Sequence, residues 1–298
     1  MPRRALLFLL VCAAALWPIG HMRATLPERP LASASFGHGP AIVLVHGLGS
    51  TAEHWLPAAR LLSREYRVTL VDLPGHGESE MPEAFSLGAT TGSLDAALAA
   101  MGATPVVLVG HSLGGLVCAG EALAHPERVR ALVLIETALR PQVAAAELPA
   151  MLTALDQHYA ELVHGAYLDF GRDSAQGETL WREVAALDPG MIKRWIRLAW
   201  TADLSAPAAG LQVPVLVVLA PRSWAAAETW PDVAGALGYA RLPRVHAVRL
   251  DGCGHFIMLD RPRELAALIA SFAANPVTDE LRASASGDAR RSPAAGGI

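Results

Sequence analysis

The chain has 298 residues, 52% of them apolar and 17% charged, which suffices to bury a large core in one domain carrying an insertion. A formal net charge of −4 with few lysines provides no basic patch, which excludes nucleic acid as a partner class. The three cysteines, Cys12, Cys118 and Cys253, lie far apart without a CxxC pair or a Cys/His cluster, excluding a disulfide framework and a zinc site.

Arg3 and Arg4 precede an apolar run from Ala5 to Ile19, and Ala13-Ala14-Ala15 offers a small-residue cleavage site. Residues 1–24 therefore read as a signal sequence or signal anchor, placing the protein in the periplasm, outside the cell, or at the membrane through its N-terminus. The run is shorter than the roughly 20 residues of a comfortable bilayer span. Translation starting at Met22 would remove it and leave a cytoplasmic protein.

From Leu31 onward, apolar β-rich runs alternate with helical patterns, the signature of a mostly parallel sheet covered by helices, an α/β fold. The buried-strand runs are Ala41 to Val45, Arg67 to Val71, Val106 to Val109, Ala131 to Ile135 and Val215 to Leu219, with Val245 to Leu250 as the last. Ser50-x-x-Glu53 reads as a capping box opening a helix toward Leu62. Leu94 to Met101 and Leu113 to Ala124 read as helices, the latter stopped at His125-Pro126.

The core comprises residues 25–137 and 211–275. Between its halves, residues 138–210 carry helical patterns without a strand and form a helical lid insertion. There Asp188-Pro189 caps a helix whose Ile192, Trp195, Ile196 and Ala199 share one face. That face is expected to pack on the core, with pocket lining left to some of Trp181, Trp195 and Trp200. Residues 276–298, rich in Ala, Ser, Gly and Arg, read as a disordered tail.

Gly110-His111-Ser112-Leu113-Gly114 fits G-x-S-x-G at a junction where a buried strand ends at Val109 and a helix follows Ser112. Such a turn strains its serine and leaves no room for side chains two residues on either side, which gives Gly110 and Gly114 a steric purpose. Ser112 is therefore the candidate nucleophile. No GxGxxG follows the first strand and no P-loop occurs.

Together with His46-Gly47-Leu48-Gly49, Asp72-Leu73-Pro74-Gly75-His76-Gly77-Glu78-Ser79 and Asp251-Gly252-Cys253-Gly254-His255-Phe256, this motif resembles the α/β-hydrolase superfamily from about Leu31 to Ala273. The resemblance implies that His255, in the Gly-rich loop after the last strand, is the base that takes the Ser112 proton. It implies that the backbone amides of Leu48 and Leu113 form the oxyanion hole. His46 and His111 are expected to be structural, as are Asp72 and His76. The remaining histidines, including His38, His54, His125, His158, His164 and His246, are expected to be polar or surface groups.

The acid departs from the commonest superfamily pattern, a Gly-x-x-Asp after the strand Val215 to Leu219. Here the chain reads Ala220-Pro221-Arg222-Ser223. Glu136, Glu228 and Asp232 lie between nucleophile and base in chain order, whereas Asp251 is too close to His255. Glu136 directly follows a buried strand and so emerges at the ligand-binding edge of the sheet. Some dehalogenases and animal lipases of the superfamily carry their acid there, and Glu136 is the expected acid partner of His255, with Glu228 or Asp232 as the alternatives.

The expected activity is a serine hydrolase that cleaves a carboxylic ester or related acyl bond through an acyl-Ser112 intermediate, requiring neither metal nor organic cofactor, with a small-molecule acyl or ester substrate as partner. Carbon–carbon hydrolase, lactonase, thioesterase and acyltransferase chemistry use the same residues. A noncatalytic ligand-binding protein is the alternative of another class.

Overall fold

The computed structural model describes residues 31–102 and 105–276. The expected signal sequence, Met22 and all but the first residue of the expected tail lie outside them. Among the described residues, seven strands, β1 (Ser33–Phe36), β2 (Ala41–Val45), β3 (Arg67–Val71), β4 (Val106–His111), β5 (Val129–Ile135), β6 (Val215–Leu219) and β7 (Val245–Arg249), form one sheet in the order β1-β3-β2-β4-β5-β6-β7. Only β1 runs antiparallel to its neighbour.

The continuous apolar runs form the middle of this sheet because both of its faces are covered: every residue of β4 and of β6 is buried. The edge strand β1 went unpredicted. Its Ser-Ala-Ser-Phe sequence is largely exposed, and its pairing is reinforced by the contact of Ser35 with Thr69 hydroxyls at 2.7 Å, which has no apolar signature.

Among the described residues, ten α-helices accompany the sheet: α1 (Leu56–Leu62), α2 (Leu87–Met101), α3 (Leu113–Ala124), α4 (Leu148–Gln157), α5 (Tyr159–Phe170), α6 (Ser174–Ala185), α7 (Pro189–Thr201), α8 (Trp230–Leu237), α9 (Ile257–Asp260) and α10 (Pro262–Ala274). Among them, α1 packs with α10 and α2 with α3. α2 starts seven residues before its predicted beginning at Leu94, at an N-cap where Ser86 accepts from the amide of Ala89. Its first two turns contain two glycines and two threonines, poor helix formers that tertiary packing holds in place: Thr90, Thr91 and Ser93 are buried.

The predicted capping box does not form. The helical turn begins after Thr51 without a side-chain cap, and Ser50 Oγ instead contacts His54 Nδ1 at 2.8 Å. In contrast, Asp188 caps α7 by accepting from the amides of Gly190 and Met191. α4 to α7 all lie between β5 and β6, with no strand among residues 138–210. The predicted apolar face of α7 divides: Ile192 and Trp195 are wholly buried, whereas Ile196 and Ala199 line a cavity. Among the described residues, no helix is long and apolar enough to cross a membrane.

Candidate active site

Ser112 sits between β4 and α3 with φ 52° and ψ −122°, a backbone conformation that is costly for a residue with a side chain. The turn is fixed from both directions. The Ser112 amide donates to Ile135 O of the neighbouring strand at 2.8 Å, and Ser112 O accepts from Gly115 and Leu116. A Cβ at Gly110 would lie 2.4 Å from Gly115 Cα, and one at Gly114 would lie 2.1 Å from His46 O. These backbone collisions are the steric reason for both glycines.

His255 follows β7 in a loop that its own amide ties to α5, donating to Phe170 O at 2.8 Å. The Phe170 ring stacks on the imidazole, with centroids 4.5 Å apart and planes 24° apart. A second tie comes from the strand that leads into Ser112, as His111 Nε2 lies 3.0 Å from His255 O. Because a carbonyl can only accept, Nε2 carries the hydrogen. Burial and the neighbouring His255 hold the His111 pKa well below its ordinary value, so His111 serves as a neutral strut between the two loops.

Glu136 stands at the end of β5, also at positive φ (49°), and its side chain is 0% exposed. Its Oε2 lies 3.0 Å from His255 Nδ1. The residues after β6 complete its surroundings: the Ala220 amide donates to Oε1 at 2.7 Å and Ser223 Oγ donates to Oε2 at 2.9 Å. The Arg222 guanidinium stands 3.6 Å from Oε2. A buried carboxylate requires such donors, since an unpaired one would take up a proton.

The other candidate acids are engaged away from His255. Glu228 accepts from the Ala225 amide at 2.6 Å, and Asp232 closes the capping box of α8 with Thr229. Asp251 pairs with Arg249.

Leu48, Leu113, Ser112 and His255 line one cavity of about 100 Å³. The Leu113 amide begins α3, where helix geometry supplies no intrahelical acceptor. The Leu48 loop is held by Tyr167, whose hydroxyl donates to Leu48 O at 2.7 Å. His46 and His76 build its base. Nε2 of His46 accepts from the Leu73 amide and Nε2 of His76 from the Gly49 amide, both at 3.0 Å. Burial, and then His46, lower the His76 pKa to about 3, so it stays neutral and able to accept.

The remaining wall is apolar apart from Gln142, with Leu162 and Ala166 from α5 and Ile196, Ala199 and Trp200 from α7. Of the three tryptophans considered from the sequence, only Trp200 lines this cavity. Trp195 is buried and donates to Pro74 O, and Trp181 packs against His164.

Sequence reasoning missed Phe170 and Tyr167, which are unremarkable aromatics at helical spacing. It also missed the part of Ser223, noted only as the residue standing where an acid was expected.

A mostly parallel sheet with a serine at a strained strand–helix turn, and a histidine–carboxylate pair on the same sheet edge, defines an α/β hydrolase. The chain belongs to the alpha/beta hydrolase family, whose model matches residues 42–268. It is 34% identical over 188 residues, 61% of this chain and 70% of the relative, to a pimeloyl-(acyl-carrier protein) methyl ester esterase of Pseudoalteromonas atlantica. Among solved structures it resembles a membrane phospholipase A described as a bacterial virulence factor, with TM-score 0.65, 26% identity and 83% of each chain covered. An esterase from Thermogutta terrifontis shares the fold, with TM-score 0.69, 22% identity and coverage of 83% of this chain and 94% of that one.

Proposed function

We propose that this hydrolase of ester bonds works through an acyl-Ser112 intermediate, with His255 as general base and acid and Glu136 as the carboxylate that orients His255. The observation carrying this reading is the 3.0 Å contact of His255 Nδ1 with the buried Glu136 carboxylate, on a histidine that shares a cavity with Ser112.

A carboxylate at Nδ1 fixes the tautomer that leaves Nε2 free to accept a proton. Ser112 Oγ attacks the ester carbonyl carbon as its proton passes to His255 Nε2. The carbonyl oxygen becomes an oxyanion and accepts hydrogen bonds from the amides of Leu48 and Leu113, donors worth about 3 to 4 kcal/mol each in such sites. Collapse breaks the bond to the alcohol oxygen, which leaves with the proton from His255. Water, deprotonated by His255, then cleaves the acyl-Ser112 ester, and the proton returns to Ser112 as the acid departs.

The apolar cavity suits an uncharged acyl chain. The relative from Pseudoalteromonas atlantica is named for a methyl ester, and a short alkyl ester is the substrate class proposed here.

Hydrolysis of p-nitrophenyl acetate and butyrate, together with fluorophosphonate labelling, tests the reading. The wild type should turn over and label at Ser112 alone, and Ser112→Ala should lose about five to six orders of magnitude in kcat. Equal rates in wild type and Ser112→Ala would indicate a noncatalytic binder.

A further inference from the structure

We propose that Ser223 is a positioning residue of the hydrolytic reaction, acting through Glu136 on His255; the inference rests on the acyl-serine reading above. Glu136 directly follows β5, whereas the loop bearing His255 follows β7, and β6 lies between the two strands in the sheet. A carboxylate reaching over a neighbouring strand needs to be held from that strand's side. Ala220 and Ser223, just beyond the end of β6, hold it there, one on each oxygen.

The two contacts differ in consequence. Ala220 donates to Oε1, the oxygen not paired with His255 Nδ1. Ser223 donates to Oε2, the same oxygen that lies 3.0 Å from His255 Nδ1. The serine hydroxyl and the imidazole thus converge on one atom, and loss of the hydroxyl frees that oxygen to rotate out of line with Nδ1–H. Arg222 does not replace it. At 3.6 Å its guanidinium is beyond hydrogen-bond reach of Oε2, and its closest partner is Asp169 at 2.6 Å.

The loop does not need the Ser223 side chain to keep its shape, because the turn closes on backbone bonds from Ser223 N and Trp224 N to Ala220 O. Removing the hydroxyl therefore changes the hold on Glu136 without dismantling the loop.

The experiment compares Ser223→Ala, Ser223→Thr and Glu136→Gln in the full chain, by steady-state kinetics on p-nitrophenyl butyrate and by the rate of fluorophosphonate labelling. Ser223→Ala should lower kcat and the labelling rate together by about tenfold, as loss of a hydrogen bond to a charged group does, with KM changed less than about twofold. Ser223→Thr, which keeps the hydroxyl, should recover both rates to within about threefold. Wild-type kcat and labelling in Ser223→Ala, or equal losses in the alanine and threonine variants, overturn the inference. In either case a Glu136→Gln variant that has lost turnover shows that the role of Glu136 survives. Wild-type turnover in Glu136→Gln would instead overturn the acyl-serine reading with Glu136 as its acid.

Discussion

Ser112 and Glu136 follow directly on His111 and Ile135, which are paired across β4 and β5, and they are the two non-glycine residues at positive φ among those described, at 52° and 49°. Such a conformation costs on the order of 1 to 3 kcal/mol per residue and persists where the surroundings over-determine it. Here the Ser112 amide is held by Ile135 O and the Glu136 amide by Val218 O at 3.0 Å, so each strained residue is fixed by the next strand of the sheet. Both side chains thereby leave the strand direction at the same edge.

The effect of substituting the proposed acid follows from that geometry. Glu136→Gln should keep the fold and lower kcat by up to ~10⁴, because an amide neither secures the productive tautomer nor stabilises the imidazolium. Glu228→Gln should retain turnover. Asp232→Asn should also retain it, with at most about 1 kcal/mol of stability lost at the α8 cap. Steady-state kinetics and urea denaturation of the three variants check this, and loss of turnover confined to Glu228→Gln or Asp232→Asn would move the acid to the later loop.

Chain-length selectivity should respond to the cavity wall. Trp200→Leu should raise kcat/KM for p-nitrophenyl octanoate relative to butyrate by about tenfold or more, since each methylene accommodated in an apolar pocket is worth about 1 to 3 kcal/mol. Ala166→Leu should act in the opposite direction and disfavour the longer ester. An unchanged octanoate-to-butyrate ratio in both variants would place the acyl chain elsewhere.

Stability should carry a pH signature remote from the cavity. Glu121 on α3 is 0% exposed and neither carboxylate oxygen has a hydrogen-bond partner. Burial, followed by the nearby Asp95, raises its pKa from 4.5 to about 8. The folded protein therefore keeps a proton that the unfolded chain releases above 4.5, so this contribution is fully present below that pH and is lost progressively as pH rises toward 8. Glu121→Gln has no such proton to lose. Its Tm relative to wild type should climb between pH 5 and pH 8 and then level off, and a difference constant with pH would show that Glu121 ionises normally.

Export is proposed from Arg3-Arg4 and the apolar run that follows. Fractionation of cells expressing the native gene, with N-terminal sequencing, should recover the protein outside the cytoplasm or at the membrane. A soluble cytoplasmic species beginning near Met22 would refute it.

The sequence by itself determined the parallel core, because buried strands must be apolar along their whole length, and Val215 to Leu219 or Ala41 to Val45 have no other use. It marked Ser112, because the turn that exposes it admits only glycine at Gly110 and Gly114. Singling out His255 among eleven histidines required the superfamily resemblance. The sequence also narrowed the candidate acid to three carboxylates in the right chain order, Glu136, Glu228 and Asp232, and favoured Glu136 because it alone stands directly at a strand end. Only tertiary structure shows the contact itself: whether a carboxylate reaches Nδ1 depends on strand order and on donors from another loop, and neither leaves a local pattern. The same reason hid Ser223 and Phe170, whose importance lies in what stands 2.9 Å and 4.5 Å from them. It hid β1 as well, an exposed strand made by its partner β3. Periodicity reports how a segment meets its own neighbours, whereas the site joins segments far apart in the chain, Glu136 and His255 being 119 residues apart.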